Sequence, residues 1–265
     1  MFNKSPLRYP GGKTRACKTL DSLIEENFNL AENPIDTVIS PFFGGGSFEF
    51  FLQNKYNLEI KANDKFLPLY NFWKIAKNQN SELCLELESY LNKVVSQSFK
   101  ELREEIMQLS DNPFKQALYY FIINRCSFSG ATLSGGFSDE SSKKRFTKSS
   151  IERISKLNLD KLSISNKDFN EFIPDTIKEN ELLFLDPPYY LEKASKLYGN
   201  NGDMHEYFDH QALFNNLSTK KRWIMTYNNC EFIKQLYKDF IILEVDWKYG
   251  MNKTKKSSEI VIISK

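Results

Sequence analysis

Histidine and paired cysteine are what this chain has least of. There are two histidines, His205 and His210, and four scattered cysteines, Cys17, Cys84, Cys126 and Cys230, with no Cys-x-x-Cys among them. That leaves too few well-spaced ligands for a Cys/His zinc site, and the cysteines read as reduced packing residues. Long apolar runs are also missing, and the start, Met1-Phe2-Asn3-Lys4-Ser5-Pro6, lacks the apolar stretch of a signal peptide. The expectation is a cytoplasmic protein with no membrane partner. Charge of one sign is lacking as well: 36 Lys+Arg against 34 Asp+Glu give a net charge of +2, so any polyanion must be met by local clusters. Disorder is excluded by a hydrophobic fraction of 41% with 14% aromatic residues. A chain of 265 residues is one large domain, or a core with one insertion.

Two nucleotide-binding signatures are absent too. Gly12-Lys13-Thr14 invites comparison with a triphosphate P-loop, but Leu7 stands where that loop needs its first glycine and no apolar strand precedes it. Gly44 and Gly46 begin a Gly-x-Gly-x-x-Gly pattern, but Glu49 occupies its last position, which disfavours a pyrophosphate site.

What is present is a series of strands that end in chemistry. Leu182 to Leu185 is a short apolar run that delivers Asp186-Pro187-Pro188-Tyr189. In an open α/β sheet ligands bind outside the carboxyl ends of the strands. Two prolines fix the backbone and leave the Pro187 carbonyl free to accept a hydrogen bond. An amine with two hydrogens suits this corner, one to the Asp186 carboxylate and one to that carbonyl, with a flat ring on Tyr189. Upstream, Asp36 to Ser40 reads as a strand entering Pro41-Phe42-Phe43-Gly44-Gly45-Gly46-Ser47, followed by a helix from Phe48 to Lys55. Glycines allow close backbone approach and free helix N-terminal N–H groups for a ligand. A second strand, Leu58 to Ala62, ends in Asn63-Asp64, at the distance where an acidic side chain grips ribose hydroxyls. Together these indicate an adenosine-containing cofactor without a pyrophosphate. Leu162 to Ser165 leads to Asp168-Phe169, which is either an adenine clamp or a simple turn. Trp223 to Tyr227, Phe240 to Trp247 and Glu259 to Ser264 complete the strands, the last two joined by a stretch containing Lys248, Lys253, Lys255 and Lys256.

Between Leu67 and about Arg125 the pattern turns helical. Ser98-Phe99-Lys100-Glu101 reads as a capping box, and Asn112-Pro113 as an N-cap with a first-turn proline. Ser127 to Ser142 reads as a Ser/Gly-rich loop running into Lys143-Lys144-Arg145-Phe146-Thr147-Lys148. Basic groups mixed with small donors and aromatics suit a nucleic-acid surface, although a charge run is often only a solvated face.

The order of Tyr9-Pro10-Gly11-Gly12-Lys13, Pro41 to Ser47, Asn63-Asp64, Asp168-Phe169 and Asp186-Pro187-Pro188-Tyr189 resembles the Dam-type, D12 class of DNA adenine N6-methyltransferases over almost the whole chain. The resemblance implies a Rossmann-like, S-adenosylmethionine-dependent methyltransferase core over 1–66 and 150–265, with a mostly helical target-recognition insertion over 67–149. It implies S-adenosylmethionine as donor and a flipped adenine of double-stranded DNA as acceptor. It places Tyr9, Gly12, Lys13, Pro41, Phe42, Phe43, Gly44, Gly45, Gly46 and Ser47 along the cofactor. Asp64 would hold its ribose and Asp168 and Phe169 its adenine, while Asp186 would accept from the target amine and Tyr189 stack on the target base. Family members commonly carry an acidic residue where Ser40 stands, so the contact to the methionine end is unassigned. By location, Asn124, Arg125, Ser127, Lys143, Lys144, Arg145, Lys148, Lys253 and Lys255 are candidates for DNA contact. The class leaves room for a restriction endonuclease in the same system without stable contact. Rival readings are N-methylation of cytosine N4, RNA or a protein amine, and a non-catalytic DNA-binding module.

Overall fold

The computed structural model describes residues 2–190, 208–245 and 259–265. The β-prone runs form strands close to where they are expected. They are β1 (Thr37–Ser40), β2 (Glu59–Asn63), β3 (Leu162–Ser165), β4 (Glu181–Leu185), β5 (Trp223–Asn228), β6 (Ile241–Val245) and β7 (Glu259–Ile263). They join in one sheet of order β3-β2-β1-β4-β5-β7-β6. Every residue of β1 and β4 is buried, as in a strand covered on both faces.

Strand direction explains where a ligand sits. β2, β3, β4 and β5 run parallel to β1, and β7 is antiparallel to both β5 and β6. The chain winds from β1 outward through β2 to β3, then returns to place β4 on the other side of β1. The carboxyl ends of β1 and β4 therefore flank the point where the winding reverses, the place such sheets bind ligands. Because both pairings of β7 are antiparallel, β6 runs with β5 and ends on the same side as Asp186. Lys248, Lys253, Lys255 and Lys256 lie outside the described residues.

Helices cover the sheet. Up to residue 155 these are α1 (Cys17–Phe28), α2 (Ser47–Tyr56), α3 (Leu67–Asn78), α4 (Asn80–Ser89), α5 (Ser96–Glu105), α6 (Pro113–Cys126), α7 (Asp139–Arg145) and α8 (Lys148–Ser155). α6 is buried from Gln116 to Cys126, so it is a core helix with no polar face. It packs on α3 through stacked Phe72 and Phe121, 5.7 Å apart, and a buried Asn71–Gln116 hydrogen bond of 2.6 Å. α3 in turn supports the sheet: the Trp73 indole donates to the Gly44 carbonyl at 2.9 Å. The apolar side chains of α3, α4 and α6 are continuous with those under β1, β2 and β4.

Local signals were read with mixed success. Asn112 caps α6 by accepting from the Lys115 N–H at 3.0 Å, as its pairing with Pro113 suggests. Ser98 does not start α5; it sits in the first turn and its hydroxyl accepts from the Val95 N–H at 3.0 Å. The expected loop ends sooner than composition implies. Ser138 caps α7 by accepting from the Ser141 N–H at 3.1 Å, and the basic run continues a helix that Asp139 and Glu140 open.

Candidate active site

The wall of the site is the turn between β1 and α2. Gly44 and Gly46 have φ of +51° and +64°, the left-handed region glycine tolerates. Space is as restrictive as conformation there: a Cβ on Gly44 would lie 2.8 Å from the Tyr9 ring, and one on Gly46 2.5 Å from the Phe43 ring. Asp64, buried at the end of β2, fixes the turn from behind. Its carboxylate accepts from the Gly44 N–H at 2.9 Å and from the Phe66 N–H at 2.9 Å. Burial outweighs those two donors and pushes its carboxyl up to about 6.

The floor is the exit of β4. Lys13 is 3% exposed and reaches both oxygens of Asp186, Oδ1 at 2.8 Å and Oδ2 at 2.9 Å. Thr226 on β5 donates to Oδ1 at 2.6 Å. Lys13 Nζ also donates to the Gly11 carbonyl at 2.8 Å, so the kinked Tyr9–Gly12 loop and Asp186 hold one ammonium between them. Tyr189 stacks on Tyr227 with ring centres 5.9 Å apart, and Lys13 Nζ lies 5.2 Å from the Tyr189 ring centre. Pro187 and Pro188 join Asp186 and Tyr189 in lining the cavity.

Glu49, on the first turn of α2, is the residue sequence reasoning missed. It is 2% exposed, lines the cavity, and accepts from the Ser40 hydroxyl at 2.6 Å. Burial, helped by the neighbouring Asp186 charge and opposed by Ser40 and Lys13, pushes its carboxyl up to about 7. Glu49 thus brings a carboxylate within hydrogen-bond distance of Ser40. Thr226 and Phe208 were also missed. Thr226 carried no motif, and Phe208 is brought to Phe42 and Phe169, ring centres 5.6 and 5.3 Å away, only by the fold.

These parts enclose a cavity of about 640 Å³, inside the roughly 300–1,000 Å³ range of small-ligand sites. Tyr9, Gly12, Lys13, the whole Pro41–Ser47 turn, Asp64, Asp168, Phe169 and Asp186 all line it. Among its lining residues the rings of Phe42, Phe169 and Phe208 cluster, with Asp168 next to Phe169 in the chain, and Glu49, Lys13 and Asp186 act on one another as a charged group. Asp168 is ion-paired with Lys65 at 2.8 Å. Burial opposes its ionisation, but the Lys65 ammonium and the Asn170 N–H hold its carboxyl below the usual range.

Three of the candidate DNA contacts lie inside the fold. Asn124 and Ser127 are wholly buried and Arg125 nearly so. Asn124 is consumed by the Arg8 backbone, accepting from its N–H at 2.9 Å and donating to its carbonyl at 2.7 Å. Arg125 donates to the Arg145 and Pro6 carbonyls at 2.7 and 3.1 Å, and Ser127 accepts from the Thr132 N–H at 3.1 Å. The side-chain polar atoms of Asn124 and Ser127 are thus occupied inside the fold. Lys143 and Lys144 lie on the exposed side of α7, ion-paired with Asp139 and Glu140 at 2.8 and 3.0 Å; Arg145 and Lys148 are also exposed. Lys253 and Lys255 fall outside the described residues.

A seven-stranded, mostly parallel sheet whose cavity sits at the reversal of winding, under a glycine turn, defines a Rossmann-like methyltransferase core. The family model of D12 class N6 adenine-specific DNA methyltransferases matches residues 9–251, and the chain belongs to that family. A curated relative, the type II methyltransferase M.MjaIII of Methanocaldococcus jannaschii, is 26% identical over 273 residues, covering 93% of this chain and 92% of that protein. The chain is accordingly a DNA methyltransferase. Among the described residues no helix is long and apolar enough to cross a membrane.

Proposed function

We propose that this chain transfers the methyl group of S-adenosylmethionine to the N6 amine of an adenine in a specific double-stranded DNA sequence. The observation that carries this reading is the Asp186 carboxylate, pinned by Lys13 and Thr226 at the cavity floor beside an aromatic ring and two prolines. The residues present fit the donor. A buried carboxyl at Glu49 with one hydroxyl partner suits the ammonium of its methionine end. The glycine turn suits the chain beyond it, Asp64 the ribose, and Asp168 with the Phe42, Phe169 and Phe208 rings the adenine. When bound, S-adenosylmethionine supplies an electrophilic methyl on a sulfonium.

The protein's own part is alignment and proton handling. An adenine amine is a poor nucleophile because its lone pair is delocalised into the ring. Asp186 accepts one amine hydrogen and the Pro187 carbonyl the other, which fixes the nitrogen and localises its lone pair. Alignment is the larger effect, on the order of 7–11 kcal/mol against roughly 1.5–3 for one charge-assisted hydrogen bond. The transfer is direct, without a covalent protein intermediate. Lys13 and Thr226 hold the Asp186 carboxylate in position to take up the proton that the amine loses. The target amine is inaccessible inside a duplex, so the base leaves the stack at a cost of a few kcal/mol, part of which Tyr189 recovers by stacking on it. The helices and loops of 67–149 choose the sequence. The reaction takes place in the cytoplasm, with an endonuclease of the same specificity as a companion that makes no stable contact.

The deciding experiment incubates purified protein with methyl-labelled S-adenosylmethionine and unmethylated genomic DNA, then identifies the labelled nucleoside. N6-methyladenine is expected. Labelled N4-methylcytosine moves the acceptor, and unlabelled DNA with the donor still bound points to an RNA or protein acceptor or to a non-catalytic binder.

A further inference from the structure

A second cavity, of about 360 Å³, is lined by Thr14 and Cys17, just beyond the Gly12 and Lys13 that line the first, and Ser47 borders both cavities. Five cations line it: Lys4 and Arg8 from the N-terminal segment, Arg125 from α6, Arg145 from the end of α7 and Arg153 from α8. Among the described residues no acidic side chain lines it. None of the five takes part in an ion pair among the described residues. Glu140, which acts on Arg145 through space, is paired with Lys144 and does not line the cleft.

Two of these guanidinium groups are aimed rather than loose. Arg8 Nη1 donates to the Ser127 carbonyl and the Ser141 hydroxyl, both at 3.1 Å. Arg125 donates through Nε and Nη1 to main-chain carbonyls, which fix its plane without neutralising its charge. Its Nη2 makes no hydrogen bond among the described residues, and neither do the exposed side chains of Arg145 and Arg153. The repulsion is unrelieved: burial, with Arg8, Arg153 and Arg145 nearby, pushes Arg125 down to about 10. Four guanidinium groups held together without a counter-charge are complementary to an anion with several acceptor oxygens.

We propose that the Arg8, Arg125, Arg145 and Arg153 cleft seats one backbone phosphodiester of the bound DNA, next to the cavity that receives the target base. This rests on the DNA-methylating reading above. Arg8 links the two places: it precedes the cavity-lining Tyr9, and a Cβ on Gly130, in the loop whose Ala131, Thr132 and Leu133 line the cavity, would lie 2.6 Å from the Arg8 Cβ. A phosphate held in the cleft sets the register of the strand without reading its sequence.

The test is an R145A/R153A double variant, which removes the two exposed members without a side-chain hydrogen bond among the described residues and leaves the half-buried Arg8 and buried Arg125 in place. Duplex binding is measured by fluorescence anisotropy over a salt series, with S-adenosylmethionine affinity measured by calorimetry. Loss of one phosphate contact reduces the slope of log Kobs against log[salt] by about 0.9. The expected result is that loss, with about tenfold weaker binding to every duplex sequence and unchanged donor affinity. An unchanged slope overturns the proposal. A second arm compares the melting of both proteins in sodium sulfate and sodium chloride at equal ionic strength. Sulfate protection of the wild type alone, without a change of DNA slope, replaces the phosphodiester by a free oxyanion and overturns the assignment. Wild-type protein that binds no duplex at all removes the methylation reading itself, and sulfate protection abolished in the double variant then assigns the cleft to free oxyanions.

Discussion

The two cavities of this protein share a wall and follow opposite electrostatic rules. In the large one every charge has an answer: Lys13 meets Asp186 and Thr226, Glu49 meets Ser40, Asp64 meets two main-chain N–H groups. Four guanidinium groups line the cleft, and among the described residues their partners are carbonyls, a hydroxyl and the Phe121 ring. A matched site spends its charges on orientation and is built for one small molecule in one pose. An unmatched site leaves charge for a ligand to neutralise and is built for a polyanion that brings its own.

The comparison breaks most visibly at Asp186. Asp186→Asn keeps the shape and a hydrogen-bonding oxygen but removes the anion that faces the amine. Methyl transfer from labelled donor is expected to fall by at least about 10³-fold, with donor affinity within a few-fold of wild type. Asp186→Ala is a poorer probe. It strands buried Lys13, and a protein melt should show a loss of about 3–5 kcal/mol. Comparable transfer by the Asn variant would mean that alignment alone suffices.

Glu49→Gln is next. Removing one buried charge-assisted contact should weaken donor binding by roughly 10- to 100-fold, read by calorimetry. The pH dependence gives the sign. A carboxyl near 7 in the folded protein and at 4.5 ordinarily binds extra protons on folding, so its contribution to stability is full below pH 4.5 and is lost as pH rises through 7. Melts of the free wild-type protein from pH 5 to 8 should therefore fall more than those of Glu49→Gln. Donor affinity should run the other way, rising with pH in the wild type as Glu49 ionises and staying flat in the variant. Equal pH profiles would remove Glu49 from the site.

A smaller effect is expected at Thr226, which is fully buried. Thr226→Val preserves volume but deletes one of three contacts to Asp186, so kcat should drop about tenfold with KM for DNA unchanged. Smallest is the cross-check between the cavities. Raising salt from 50 to 200 mM should weaken duplex binding steeply while changing donor affinity less than about twofold, because the charges of the matched site are screened from solvent. Equal salt slopes for both ligands would dissolve the distinction.

Much of this was legible in the chain. The strand runs other than Phe240 to Trp247, whose last two residues lie outside the described ones, fell within a residue of their place, and β1 and β4, buried on both faces, centre on the apolar Val38-Ile39 and Leu182–Leu185. The glycine turn and Asp186-Pro187-Pro188-Tyr189 were legible because local backbone restriction is written locally. α7 was not: its Ser and Lys content reads as loop, and only the Ser138 cap and the Asp139–Lys143 and Glu140–Lys144 pairs make it a helix. The burial of Asn124, Arg125 and Ser127 was not legible because polar residues flanking a basic loop look exposed, whereas they tie α6 to the N-terminal segment.

The sequence by itself determined which stretches carry the chemistry, since motif, period and turn residue are properties of neighbours along the chain. Tertiary structure alone decided which charges meet. Lys13 and Asp186 are separated by 173 residues, and the cleft gathers arginines from positions 8 to 153. Sheet order and helix packing set those distances, and electrostatic matching depends on distance in space rather than along the chain.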